Sequence, residues 1–79
     1  MPRFYFHLHD RQDCLTDEQG LVLPDAEAAW YQAVRSAREI IRGDLHLGCR
    51  FEDQVIEIAD ERGGRVDHIP LLEIARYSI

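Results

Sequence analysis

The stretch that decides the fold is a four-residue turn that occurs twice, as Asp17-Glu18-Gln19-Gly20 and as Asp60-Glu61-Arg62-Gly63. Aspartate at the first position of a type I turn accepts hydrogen bonds from the backbone ahead of it, and glycine at the fourth position supplies a left-handed conformation. Strand-like residues flank both copies, and each copy leads through a short apolar stretch to a proline, Pro24 or Pro70. The pattern predicts two β-hairpins, each with a three-residue loop and a glycine bulge.

The strands around these turns are predicted from the alternation of apolar and polar residues. The first strand, Arg3–His9, directs three apolar residues to one face and three other residues to the opposite face: Phe4, Phe6 and Leu8 against Tyr5, His7 and His9. Short strand candidates precede and follow the first turn, and two longer ones enclose the second. These four candidates are Cys14–Thr16, Leu21–Leu23, Gln54–Ala59 and Arg65–Ile69.

One amphipathic helix is predicted between the two turns, from Ala26 to Arg42. Asp25 is a favourable N-cap, and apolar residues recur at helical spacing to form one wide stripe. Small alanines in the stripe would let the helix lie close to a sheet, with Trp30 and Ile41 filling the gaps. Gly43 is predicted to end the helix as its C-cap.

The predicted fold is a single α+β domain over residues 1–79. It consists of a small antiparallel sheet of two β-hairpins (ββαββ), with one main helix packed on one face. Leu71–Tyr77 fits either a short C-terminal helix or a segment packed on the sheet edge. The strand order is left open, because turn and periodicity signals do not specify it.

Composition excludes several classes of protein. The 79 residues suit one domain, and 46% hydrophobic with 30% charged residues is typical of a folded protein. A net charge of −6 argues against nucleic-acid binding. Arg35, Arg38 and Arg42 lie close together on the helix, where they are most simply a solvated face with cations near its C-terminal end.

The cellular location of the protein is predicted from the absence of membrane-spanning and signal-peptide patterns. No apolar run approaches the ~20 residues that span a bilayer, and the start of the chain has no apolar signal-peptide segment. Cys14 and Cys49 are far apart without metal-type spacing, which favours free thiols in a reducing compartment. A cytoplasmic protein is therefore expected, without membrane contact.

Four segments of the chain are informative together: the opening Pro2-Arg3-Phe4-Tyr5-Phe6-His7-Leu8, the first turn, Leu23-Pro24-Asp25 with Ala28-Ala29, and the closing Ile56-Glu57-Ile58-Ala59-Asp60-Glu61. In these segments the chain resembles the DUF6894 family of short alphaproteobacterial proteins of unknown function. The resemblance covers nearly the whole chain. It implies a bacterial cytoplasmic protein and assigns no catalytic or binding residue.

The histidines are the first candidates for chemistry. His7 and His9 leave one strand face about 7 Å apart, and a metal would need a third ligand such as His68, Asp10 or Cys49. No helical pair of ligands accompanies them, so two histidines on a half-exposed face are favoured over a metal site. No cofactor is predicted.

Pro2 offers an enzyme hypothesis. Removal of Met1 would leave an N-terminal proline, which small tautomerases use as a general base. Those enzymes pass directly from the first strand to a helix, whereas this chain is predicted to insert a turn and a short hairpin before its helix. The candidate pocket arginines, Arg3, Arg11 and Arg50, form no convincing set.

The sequence therefore favours a small cytoplasmic interaction or regulatory module without enzymatic activity. One helix covers one face of a small sheet, and the other face would carry Tyr5, His7 and His9 with either Val55 or Ile56. Such a face, or an unpaired strand edge, suits self-association. We expect a homodimer, and such a surface would also suit an unidentified protein partner. The alternatives are a metal- or small-ligand-binding protein using His7 and His9, and a tautomerase-like enzyme using Pro2.

Overall fold

A computed structural model of the chain describes residues 1–11, 14–47 and 53–77. Its elements are, in chain order, β1 (Arg3–His9), β2 (Cys14–Leu15), β3 (Leu21–Val22), α1 (Ala26–Leu47), β4 (Val55–Ala59), β5 (Arg65–Pro70) and α2 (Leu71–Tyr77). The predicted α+β class is confirmed, with one antiparallel sheet, one main helix and a short C-terminal helix.

The sheet has β1 and β4 at its centre. The strand order is β2-β1-β4-β5, and β3 also pairs with β1. Every pairing is antiparallel. Helix α1 therefore carries the chain from β3 across β1 to β4, and two strands far apart in sequence become neighbours.

The first Asp-Glu-Gln-Gly turn does not close the hairpin that its sequence predicts. β2 and β3 both pair with β1, through Leu15 opposite Leu8 and Leu21 opposite Phe4, and not with each other. Between these pairs, the five residues 16–20 lie opposite the three residues 5–7. The turn is thus a bulge in an edge strand, because two-residue strands are more stable when added to the longer β1 than as an isolated pair. The first hairpin is instead formed by β1 and β2.

The second turn closes the β4–β5 hairpin as predicted. Asp60 Oδ1 accepts hydrogen bonds from the N–H groups of Arg62 and Gly64, both at 2.9 Å. Gly63 has a φ of 81°, the left-handed conformation that glycine adopts without steric cost. A register shift next to Ala59 then places Arg65 opposite it.

The core lies between α1, α2 and one face of the sheet. Three alanines of α1 are fully buried and allow close approach to the strands. Ile58 and Leu71 are the largest fully buried side chains in the described part of the chain. The buried cluster comprises Phe4, Ala29, Ala33, Val34, Ala37, Ile41, Ile56, Ile58, Ile69 and Leu71.

Two predictions for α1 need correction. Ile41 is buried, but Trp30 is 40% exposed, because its ring packs against Tyr31 and lines a surface concavity with Val34 and does not enter the core. Gly43 does not end the helix, which continues to Leu47. Its φ is not positive, unlike that of Gly20 and Gly63, so Gly43 lacks the conformation of a left-handed C-cap.

The predicted N-cap of α1 is confirmed, since Asp25 Oδ1 accepts a hydrogen bond from the Ala28 N–H at 2.9 Å.

Three glycine-to-alanine variants distinguish these backbone roles. Gly43→Ala should stabilise the protein by about 0.5–1 kcal/mol, because the new methyl group meets no atom within 4 Å and alanine favours a helix. Gly63→Ala should destabilise by about 1–2 kcal/mol through positive φ alone. Gly20→Ala should destabilise the protein more than Gly63→Ala, because its Cβ would also lie 2.9 Å from the Phe4 carbonyl oxygen. Urea denaturation measures the free energy of unfolding of all three variants. A destabilising Gly43→Ala, or equal losses at positions 20 and 63, would contradict these assignments.

Candidate functional site

The candidate site lies on the sheet face opposite the core, which we call the outer face. Tyr5, His7 and His9 alternate with the core residues of β1 and are half-buried. β-Pairing places Glu57 opposite His7 and His68 opposite Glu57, and paired residues share a face. Val55 lies on this face, and Ile56 lies in the core.

Glu57 is the centre of the polar contacts on the outer face. Its Oε1 lies 2.7 Å from His9 Nε2, and its Oε2 accepts a hydrogen bond from Arg65 Nε at 3.1 Å. The His9 contact and then the Arg65 contact hold the pKa of Glu57 below its usual value. Three strands, β1, β4 and β5, are therefore connected by one carboxylate.

Asp17 organises the neighbouring part of the outer face from the bulge. Its backbone N–H donates to His7 Nδ1 at 3.0 Å, so Nδ1 is the unprotonated nitrogen of that ring in this contact. The His7 ring in turn stacks with Tyr5, with centroids 6.4 Å apart and an interplanar angle of 10°. The bulge thereby fixes the orientation of two of the three predicted interaction residues.

The Asp17 carboxylate is bonded to backbone N–H groups. Oδ2 accepts from Phe6 at 3.2 Å, and Oδ1 accepts from Gln19 and Gly20, each at 3.1 Å. Partial burial opposes ionisation, but these bonds outweigh it and hold the pKa of Asp17 below its ordinary value of 3.8. A carboxylate with a lowered folded-state pKa stabilises the fold above its unfolded-state pKa. That contribution is lost as pH falls through the folded-state pKa.

A shallow concavity of about 300 Å³ lies over the Glu57 contacts, lined by His9, Val55, Glu57, Arg65 and His68. The sequence identified His9 and His68 but missed Glu57 and Arg65. Glu57 stands between Ile56 and Ile58, so strand alternation could have assigned it to the outer face. Its contact with His9 depends on the β1–β4 pairing, which no local signal reveals.

The metal candidates His7, His9 and His68 share the outer face. Within residues 1–11, 14–47 and 53–77, no three or more His, Cys, Asp or Glu side chains are grouped so that they could hold a metal ion. His7 Nδ1 and His9 Nε2 already contact protein groups. Cys14 is an exposed free thiol, and Cys49 lies outside the described residues.

Pro2 lies at the other end of β1. It is exposed and shares a concavity of about 320 Å³ with Asp60, Glu61 and Arg62. The arginines proposed from sequence are elsewhere: Arg3 Nη1 donates to the Gln19 carbonyl oxygen at 2.8 Å, and Arg11 pairs with Asp53 at 3.1 Å. Arg50 lies outside the described residues.

Fold and site together define a small α+β domain with one sheet face covered by helices and a polar, aromatic outer face. The chain belongs to the DUF6894 family, a domain of unknown function, whose model matches residues 3–73. No curated protein and no solved structure matches the chain significantly. In the described residues, no helix is long and apolar enough to cross a membrane.

The contacts of His7 and His9 lead to a prediction about metal binding. We expect Ni²⁺ and Zn²⁺ titrated against the wild-type protein and the His7→Ala/His9→Ala variant to show the same weak affinity by calorimetry. Coordination at these nitrogens would first require breaking the contacts to Asp17 and Glu57. An affinity that falls about tenfold or more in the variant would restore the metal hypothesis.

Proposed function

We propose that this domain is a small cytoplasmic interaction or regulatory module without enzymatic activity, and that it acts as a homodimer joined through the outer face. The observation that carries the proposal is the half-buried aromatic and charged surface of Tyr5, His7, His9 and Glu57. Both helices contribute to the core on the opposite face. An ordered, partly apolar sheet face is a natural surface for association.

Both edges of the sheet are poorly suited to pairing with a strand of another chain. Association through the outer face is therefore favoured. On one edge, the bulge at residues 16–20 interrupts the strand that a partner would have to extend. On the other, β5 exposes Arg65, Asp67 and His68 and ends at Pro70. Bulges, charged side chains and proline are features that prevent pairing at strand edges.

The charges of the outer face suit a two-fold interface. Asp17 and Glu57 are acidic, whereas Arg65 is basic and the histidines are potential cations. A two-fold axis brings the same patch of each protomer together, and a patch that contains both signs can be complementary to itself. Local complementarity would then offset repulsion between two chains of net charge −6.

The cytoplasmic part of the proposal is supported by the cysteines. Cys14 is a free and exposed thiol. An exposed thiol persists most readily where the environment is reducing.

Analytical ultracentrifugation tests the proposal with two matched lysine substitutions. We expect the wild-type chain to sediment as a dimer of the 9.2 kDa protomer. Val55→Lys should give monomers, because it places a charge on the outer face beside His9, in the concavity that Glu57 also lines. Tyr31→Lys, on the exposed side of α1, should leave the dimer intact.

Far-UV circular dichroism confirms that both variants are folded before they are compared. A wild-type protein that stays monomeric over the whole concentration series would contradict the proposal. So would a dimer that is lost with Tyr31→Lys and retained with Val55→Lys.

A further inference from the structure

We propose a second interaction surface, on the exposed side of α1, that binds an acidic segment of a partner protein. We call it the aromatic–arginine stripe; it comprises Trp30, Tyr31, Arg35, Arg38 and Arg42. Helix α1 contributes its alanine row to the core, so this side of the helix is separate from the outer face of the sheet.

Helical spacing aligns these residues. Tyr31, Arg35, Arg38 and Arg42 follow one another at intervals of four, three and four residues, which places them on one side of a helix. All four are exposed, and together they extend about 16 Å along the helix axis. Trp30 lies beside the first of them.

The N-terminal end of the stripe is aromatic. Trp30 is 40% exposed and Tyr31 is 61% exposed, and their rings meet edge to face with centroids 5.1 Å apart. With Val34, Arg35 and Arg38 they line a concavity of about 440 Å³. Tryptophan, tyrosine and arginine are the residues most enriched where interfaces gain their binding energy.

The arginines of the stripe are available for a partner. All nine cationic side chains of the protein are arginines. Arg3, Arg11 and Arg65 form hydrogen bonds or ion pairs within the fold. No ion pair or hydrogen bond joins the side chains of Arg35, Arg38 and Arg42 to other residues in the described part of the chain. The acidic residues of α1 whose side chains the structure describes, Glu27 and Glu39, are exposed, and no ion pair joins either of them to these arginines.

These features fit one kind of occupant. Carboxylates accept paired hydrogen bonds from the planar guanidinium group of arginine, and the concavity beside Trp30 can receive an aromatic or aliphatic side chain. The stripe therefore fits an acidic peptide segment that carries one apolar anchor. Charge complementarity selects this partner in a protein whose remaining surface is predominantly acidic.

Two other occupants fit less well. A second copy docked by two-fold symmetry would bring the three arginines of each chain together, which is repulsive. Nucleic acid would meet only three cations on a protein of net charge −6, and polyanion affinity depends on the number of phosphates neutralised.

Trp30 is the single tryptophan and reports binding directly. The probe is a short synthetic peptide rich in glutamate, with one central phenylalanine and no tryptophan. Controls are the same peptide with glutamine in place of glutamate, and single-stranded oligo-dT of similar charge. The proteins are wild type, Arg38→Gln and Arg62→Gln. The two variants each remove one exposed arginine, from α1 or from the β4–β5 turn.

We expect the glutamate peptide to change Trp30 emission saturably and to bind more weakly as salt is added. Arg38→Gln should weaken the affinity for the glutamate peptide about fivefold or more, whereas Arg62→Gln should leave that affinity unchanged. The glutamine peptide should bind less well than the glutamate peptide. The proposal is overturned by any of three results: no saturable change up to about 1 mM peptide, equal affinities in the two variants, or tighter binding of oligo-dT than of the peptide.

Discussion

The carboxylate of Asp17 replaces backbone bonds that the edge strand cannot make where it bulges. Residues 16–20 depart from β1, and the N–H of Phe6 would be left without a backbone partner from that edge. Asp17 Oδ2 accepts that N–H, while Oδ1 accepts from Gln19 and Gly20. The β-sheet thus keeps β1 bonded on both sides although one neighbour is interrupted.

The same residue connects the core to the candidate site. Phe6, whose N–H it accepts, packs against the buried cluster, while His7, to whose ring it donates, lies on the outer face. Gly20 is required at the end of the bulge, because its φ of 70° and its closeness to Phe4 and Tyr5 exclude a side chain. The position of the bulge therefore determines how the Tyr5–His7 stack is presented. Because α1 covers only one face of the sheet, the surface that we propose for self-association is separate from the surface that we propose for an acidic partner.

Local signals in the sequence predicted the features that depend only on neighbouring residues. Alternation in β1 placed Tyr5, His7 and His9 on one face, the Asp60 turn closed its hairpin, and Asp25 capped α1. The Asp17 turn has the same local pattern but a different role, because the adjacent β1 offers both short strands a better partner than either offers the other. A turn motif specifies how the chain bends and does not specify which strands pair.

Other features depended on distances between elements that the sequence does not contain. Trp30 has helical spacing with the core residues, yet its ring lies at the surface against Tyr31. Glu57 contacts both His9 and Arg65 because β4 lies between β1 and β5, an order that turns and periodicity leave open. Gly43 resembles a helix end, yet the residues after it continue the helix at the modest cost of a glycine in its interior.

The most direct test of the role of Asp17 is an NMR pH titration that follows its side-chain carboxyl carbon together with the amide proton of Phe6. If the carboxylate accepts the Phe6 N–H, the carboxyl group titrates below its ordinary pKa of 3.8, and the Phe6 amide shifts with the same midpoint. An Asp17 pKa at or above the ordinary value, or a Phe6 amide that does not respond to that titration, would contradict the account.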